Sequence, residues 1–191
     1  MRFIALRKGN RFSDALRATA CWIDIWEKEG AWKKIGPIAL ADRPFGVIEP
    51  CLFFDAQGAL RMLCRDRAHK IGKTGYIWMA ISQDMGLHWS ALQKTALPNP
   101  DAAFDAADLG DGHILLIYNH SHTQRYPLHL AVSHDGGDTW SSPIVLEAHS
   151  GEFPAAILSS DGLVHLTYAW RPAPDKQRRI KHMIIDPAHI E

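Results

Sequence analysis

Cysteine is scarce: Cys21, Cys51 and Cys64 are the only three in 191 residues. An odd, sparse set excludes a disulfide-built scaffold and suits a reducing compartment. Charge of one sign is also missing. The chain carries 21 basic and 21 acidic side chains and a formal net charge of zero. It therefore lacks the electrostatic footprint for nucleic acid or an anionic membrane surface. No apolar run has the length of a membrane-crossing helix. Met1 to Lys8 has no apolar core of a secretion signal, so the expected location is the cytoplasm. From residue 47 to residue 186 no 3.6-residue periodicity stands out, so almost no helix is expected. There is no glycine-rich phosphate loop and no G-x-S-x-G elbow. The histidines His113, His120, His122, His129 and His134 lie close together, but their spacing fits no zinc template. No cofactor and no metal are expected.

What is present is a repeated pattern. Ser82-Gln83-Asp84-Met85-Gly86-Leu87-His88-Trp89 reads S-x-D-x-G-x-x-W, and Ser133-His134-Asp135-Gly136-Gly137-Asp138-Thr139-Trp140 repeats it 51 residues later. Asp84 and Asp135 can each accept hydrogen bonds from backbone N–H groups further on. Gly86 and Gly137 permit the positive φ of a tight reversal. Trp89 and Trp140 offer flat apolar surface to cover the turn. Ile81 and Val132 close the incoming strands. Each box is a hairpin staple.

A longer unit surrounds the boxes. Turn glycines stand at Gly58, Gly112 and Gly162, with offsets of 54 and 50 residues. Each precedes an apolar strand: Leu60 to Leu63, His113 to Tyr118, and Leu163 to Tyr168. Further strands, Tyr76 to Ile81 and Leu128 to Val132, lead into the boxes. A period near 50 residues with four short strands per unit is propeller-like. Glu27-Lys28-Glu29-Gly30-Ala31-Trp32 reads as a degenerate box without its aspartate. Arg178 to Ile185 reads as a strand of a last unit. The units fall at about 1–45, 46–98, 99–148 and 149–191. The expected fold is all-β, a partial ring of three and a half to four blades.

The boxes resemble the Asp-box, or BNR repeat, of the sialidase-like β-propellers. That resemblance implies structural boxes on the outer rim, so Asp84 and Asp135 are not catalytic. Rings of this family have six or so blades. A part ring would be a fragment of a longer protein, or a homodimer would close it. The family holds the substrate carboxylate with three arginines, because a guanidinium binds a carboxylate bidentately. Glu49-Pro50 followed 16 residues later by Arg65 resembles the family's glutamate and second arginine. Arg125 stands where the third belongs. The first arginine and the early aspartate acid are not found. The family's tyrosine nucleophile falls on Phe153, which has no hydroxyl. From Gly46 to His182 the chain also resembles a broader BNR group that includes propellers acting on rhamnosyl-glucuronate ends, through Leu97-Pro98-Asn99-Pro100, Asn119-His120-Ser121 and Ile180-Lys181-His182.

The candidate residues also have readings of their own. Arg65 and Arg67 flank Asp66 and form either a ligand clamp or a local ion-pair cluster. Asp105, between apolar neighbours, is either a site acid or a cap for a neighbouring backbone, because an unpaired buried carboxylate is costly. Asn119 and His120 end an apolar strand, and His120 can transfer protons near neutral pH. Tyr168 and Arg171 follow the equivalent strand of the next unit. Glu49, Asp105, His120 and Tyr168 are the catalytic candidates. Arg65, Arg67, Asn119, Arg125 and Arg171 are the substrate-binding ones. The expected function is binding or exo-glycosidic cleavage of a terminal acidic sugar. The alternatives are a lyase or glycosidase at a rhamnosyl-glucuronate end, and a non-catalytic sugar-binding or interaction module.

Overall fold

A computed structural model describes residues 19–26, 30–41, 46–68, 72, 74–172 and 177–190, and the backbone of 3–8. Glu27-Lys28-Glu29 of the degenerate box lies outside these residues.

Among the described residues, fourteen strands form four antiparallel sheets in chain order. The first sheet holds β1 (Phe3–Lys8), β2 (Ala20–Trp26) and β3 (Trp32–Ile38). The second holds β4 (Val47–Phe54), β5 (Leu60–Asp66), β6 (Tyr76–Ser82) and β7 (Gln93–Pro98). The third holds β8 (Asp105–Gly110), β9 (His113–Tyr118), β10 (Leu128–Ser133) and β11 (Ile144–Glu147). The last holds β12 (Glu152–Leu158), β13 (Val164–Trp170) and β14 (Arg179–Ile185). Among the described residues the helical structure is 3-10 only, at Pro187–His189 and at Ala68. The inner strands β4, β8 and β12 pack side by side, which makes the molecule an open β-propeller.

Burial follows the two-residue period of the strands. On β9, Ile114, Leu116 and Tyr118 face the second sheet, against Leu63 and Ile77. Leu115 and Ile117 face the last sheet, against Val164 and Leu166. Both faces are covered, so β9 reads as a continuous apolar run instead of an alternating one. Each such side chain contributes about 1.5–3 kcal/mol by leaving water. Cys21, Ile23 and Ile25 of β2 make the same kind of interface with Met62, Cys64 and Ala80. A parallel bridge between Thr19 and Gly46 sets β2, not β1, parallel to β4. The β2–β3 turn, with Gly30 and Trp32, thus falls at the same end as the boxes.

The boxes are built as their chemistry requires. Asp84 Oδ1 accepts from Ser82 Oγ at 2.9 Å and from the His88 N–H at 2.8 Å. Asp135 Oδ1 accepts from Ser133 Oγ at 2.8 Å and from the Thr139 N–H at 2.9 Å. The indoles of Trp89 and Trp140 donate to the carbonyls of Gly86 and Gly137 at 2.9 and 3.1 Å. Two further aspartates tie the sheets together. On β8, Asp105 Oδ2 accepts from the Ala156 N–H of β12 at 2.9 Å, and Asp108 Oδ2 accepts from the Phe54 N–H of β4 at 2.9 Å. They lie three residues apart and face opposite neighbours, as a pleated strand requires.

Candidate functional site

The boxes and the hairpins Asp55–Ala59 and Ser159–Leu163 occupy one end of the sheets. The loops between the second and third strands, and the links from one sheet to the next, occupy the other. Most of the candidate residues gather at that second end.

Arg65 closes β5 and is 7% exposed. Its Nη1 donates to Glu49, and its Nε donates to Asp101 Oδ1 at 2.9 Å. Asp101 is 1% exposed, and its Oδ2 has no hydrogen-bond partner among the described residues. Arg125 comes over from the next loop. Its Nη2 donates to the Asp101 carbonyl at 2.6 Å and lies 4.0 Å from Oδ2. Two cations therefore meet two carboxylates, and Arg65 is already neutralised inside the fold. An incoming anion would have to displace Glu49 to reach it.

The uncompensated charge lies one step further round the ring. Arg125, Tyr126, His149, Glu152, Arg171 and Arg178 line a cavity of about 240 Å3. Arg178 pairs with Glu152 at 3.2 Å. Arg171 has no carboxylate partner among the described residues, and its backbone is held by Ser150, whose Oγ accepts from the Arg171 N–H at 2.7 Å. Ala169 completes the wall. It stands seven residues after the turn glycine Gly162, as Arg65 stands after Gly58 and Asn119 after Gly112. The last sheet carries a methyl group where the second and third sheets carry Arg65 and Asn119, which leaves the space open. With Arg125 on Asp101 and Arg178 on Glu152, Arg171 leaves the cavity with an excess of positive charge. Its size is below the ~300–1,000 Å3 of drug-sized sites, which suits a single terminal residue.

The remaining candidates are placed elsewhere. Asn119 is fully buried, and its Nδ2 donates to the carbonyls of Pro127 and Gly151 at 3.0 and 3.3 Å, which ties the third sheet to the last. Asp105 serves as the backbone cap described above, and burial raises its carboxyl above the usual range. Tyr168 is 1% exposed in the core between the third and last sheets, and its hydroxyl donates to Glu147 at 3.4 Å. Burial raises that hydroxyl against the opposing pull of Lys181. His120 is exposed, but its Nδ1 meets the Tyr118 hydroxyl at 2.5 Å. It faces a separate groove of about 510 Å3 beside Lys94 and Trp140. Burial, with the charge of His122, lowers its pKa. Arg67 is half-buried just beyond β5.

Phe153 is 49% exposed. It has a φ of 53°, precedes a proline and sits in a bulge of β12. Glu49 has a φ of 50°, precedes Pro50 and sits in the matching bulge of β4. Phe153 is thus the positional counterpart of Glu49.

Asp101, Tyr126, His149, Glu152 and Arg178 were missed as site residues. The signal for Asp101 was its place after Pro98-Asn99-Pro100, at a sheet-to-sheet link. That for Glu152 was its place beside Phe153-Pro154.

The family model for the BNR repeat-like domain matches residues 12–166. Among solved structures, the chain is similar to the Hadza microbial sialidase Hz136, at 17% identity and a TM-score of 0.70, over 99% of this chain and 35% of that one. It is similar to the α-L-arabinofuranosidase Arb93A from Fusarium graminearum, at 15% identity and a TM-score of 0.62, over 96% and 59%. It is also similar to the intramolecular trans-sialidase from Ruminococcus gnavus, at 16% identity and a TM-score of 0.61, over 97% and 41%. At these identities the likeness shows the fold. The chain spans less than two thirds of each of these structures. No curated protein matches it.

Proposed function

This chain belongs to the family of BNR repeat-like domains, and from that premise we propose that its cavity at the loop end binds the terminal residue of an acidic glycan. The observation that carries the proposal is the convergence of Arg125, Arg171 and Arg178 on one cavity, where Arg171 has no carboxylate partner among the described residues. A sugar carboxylate would bridge Arg171 and Arg125, and the Tyr126 ring would offer the sugar an apolar face. Carbohydrate-active relatives of this fold, the sialidases and arabinofuranosidases, support a sugar as the ligand.

The test is calorimetric titration with oligosaccharides ending in sialate, in glucuronate and in a neutral hexose. Acidic ends should bind, and Arg171→Ala should weaken them at least tenfold, about 1.4 kcal/mol. Equal binding of neutral and acidic ends would rule the proposal out.

One observation favours a hydrolytic version. Tyr126 and Glu152 line the same cavity, which offers a hydroxyl and a carboxylate of the kind a tyrosine-nucleophile glycosidase needs. Tyr126→Phe should then abolish release of the terminal sugar while leaving its binding intact.

A second copy of the chain is the proposed protein partner. Ile157, Ile180 and Ile184 are exposed on the last sheet, and Trp26 and Trp32 on the first. Inner sheets of this fold cover such faces with another sheet. Light scattering on a sizing column decides between a dimer and a monomer.

A further inference from the structure

Cys21 on β2 and Cys64 on β5 face each other between the first and second sheets. Their sulfurs are 3.6 Å apart, and both residues are fully buried. The two sheets come very close at this corner. Two residues before Cys21, the Thr19 carbonyl accepts from the Val47 N–H at 3.2 Å. Val47 is the register partner of Asp66, two residues after Cys64. A Cβ built on Gly46 would lie 1.8 Å from the Thr19 carbonyl oxygen, so the backbones themselves touch. Stacked sheets are ordinarily about 10 Å apart. Here the gap is small enough for two short side chains to meet. Cys51 is excluded from the pair, because it points to the other face of β4, into the core between the second and third sheets.

We propose that Cys21 and Cys64 form a disulfide site that latches the first sheet to the second. The sulfurs must close from 3.6 Å to about 2.05 Å, which side-chain torsions can supply where the backbones are already in contact. The oxidant is a low-molecular-weight disulfide such as oxidised glutathione. One protein thiolate attacks it, forming a mixed disulfide and releasing one glutathione thiolate. The second protein thiolate attacks the protein sulfur of that mixed disulfide and releases the other glutathione. Two protein thiols lose two protons and two electrons, and one glutathione disulfide becomes two thiols.

Burial holds the Cys64 thiol well above its usual range, so the exchange waits for the first sheet to open. That sheet is well placed to open. It has three strands, and its far face leaves Trp26 and Trp32 exposed. The cross-link would join positions 43 residues apart and remove that freedom from the unfolded chain.

The test uses the whole chain in an oxidised-glutathione buffer, with urea at a level where iodoacetamide reaches the buried thiols of the reduced protein. The expected product has lost the mass of two hydrogens, takes the alkylating reagent at one cysteine out of three, and yields a linked Cys21–Cys64 peptide on digestion. Its Tm should exceed that of the reduced protein. Cys21→Ser and Cys64→Ser should each abolish the mass loss, and Cys51→Ser should leave it unchanged. Three alkylatable thiols after oxidation, glutathione retained on either cysteine, or a link through Cys51 would overturn the proposal.

Discussion

Arg61 on β5 reaches Asp138 in the box of the third sheet, 77 residues further on, donating at 2.5 Å from Nη1 and at 3.3 Å from Nη2. Its Nε holds Asp55 at 3.0 Å, and Asp55 in turn caps the Gln57 and Ala59 N–H groups of its own turn. The box of one blade is thereby stapled to the turn of the previous one. Arg61 and Asp55 are both buried, and Asp138 is largely exposed. Arg61→Leu should cost about 3 kcal/mol, because it strands the buried Asp55. Asp138→Ala should cost at most about 1 kcal/mol, because an exposed partner is replaced by water. Urea midpoints at an unchanged m-value would measure both, and equal costs would contradict the staple.

The boxes should make the fold sensitive to acid. Burial would raise the Asp135 carboxyl, but bonds from Thr139 and Ser133 outweigh it and hold the group at about 2, below the ordinary carboxylate range. A depressed carboxylate contributes stability above its unfolded pKa, and that contribution fades as pH falls through the folded one. The window is therefore pH 4 down to pH 2. The Tm of the native protein should fall faster across it than the Tm of Asp135→Asn, with the two curves parallel above pH 5. Parallel curves throughout would mean that the box aspartate contributes no pH dependence.

Much of the architecture was legible because its signals are local. An Asp and a Gly inside eight residues describe a turn that closes on itself, so the two boxes located two hairpins. Gly58, Gly112 and Gly162 located three more. The candidate site was less legible, because its pairings cross sheets. Arg65 was marked by the family pattern, but its partner Asp101 lies 36 residues away. Nothing local distinguishes a neutralised arginine from a free one. Asn119 looked like a substrate-binding residue at a strand end, yet the fold uses its amide to hold two backbone carbonyls. Phe153 shows the value of counting within the repeat. Its match to Glu49 is visible in the residue-then-proline step that each makes just after a link glycine, Gly46 or Gly151.

Ala169 gives a test of the cavity that leaves every charge in place. Ala169→Leu would fill the space that a methyl group leaves open on the last sheet. Overpacking of this kind costs about 1–3 kcal/mol, and the protein should remain folded. Acidic oligosaccharide binding should be lost, with Arg125, Arg171 and Arg178 all present. Undiminished calorimetric binding by folded Ala169→Leu would move the ligand elsewhere, with the groove beside His120 and Trp140 as the next place to examine.

Tyr168 and His120 can be tested against a catalytic role. The Tyr168 hydroxyl makes a long bond to Glu147 and has no route to the cavity. Tyr168→Phe should cost under about 1 kcal/mol of stability and leave sugar binding, and any turnover, unaltered. His120→Ala should behave likewise, since the ring faces the groove between the second and third sheets. A loss of turnover in either variant, without a loss of stability, would place that side chain in the chemistry.

The uncovered face of the last sheet should govern self-association. Ile180 is 73% exposed. It shares its face with Ile184 and with His182, whose Nε2 lies 3.1 Å from His165 Nδ1. The two rings are 13° from parallel with centroids 5.2 Å apart. That separation fits two imidazoles lying end to end in one plane, one donating and the other accepting. Such a bond survives one added proton on the pair but not two, because two imidazolium rings offer only donors to each other. A second sheet laid over this face would also remove the solvent that screens a double charge. Association should therefore weaken wherever both rings carry a proton. Ile180→Glu should weaken it at every pH, because it buries a carboxylate in the contact, yet leave the Tm of the monomer unchanged. Sedimentation velocity at pH 5 and pH 8 on both proteins decides the matter. A pH-independent monomer would show that the face needs no cover, and a dimer indifferent to Ile180→Glu would place the contact on another surface.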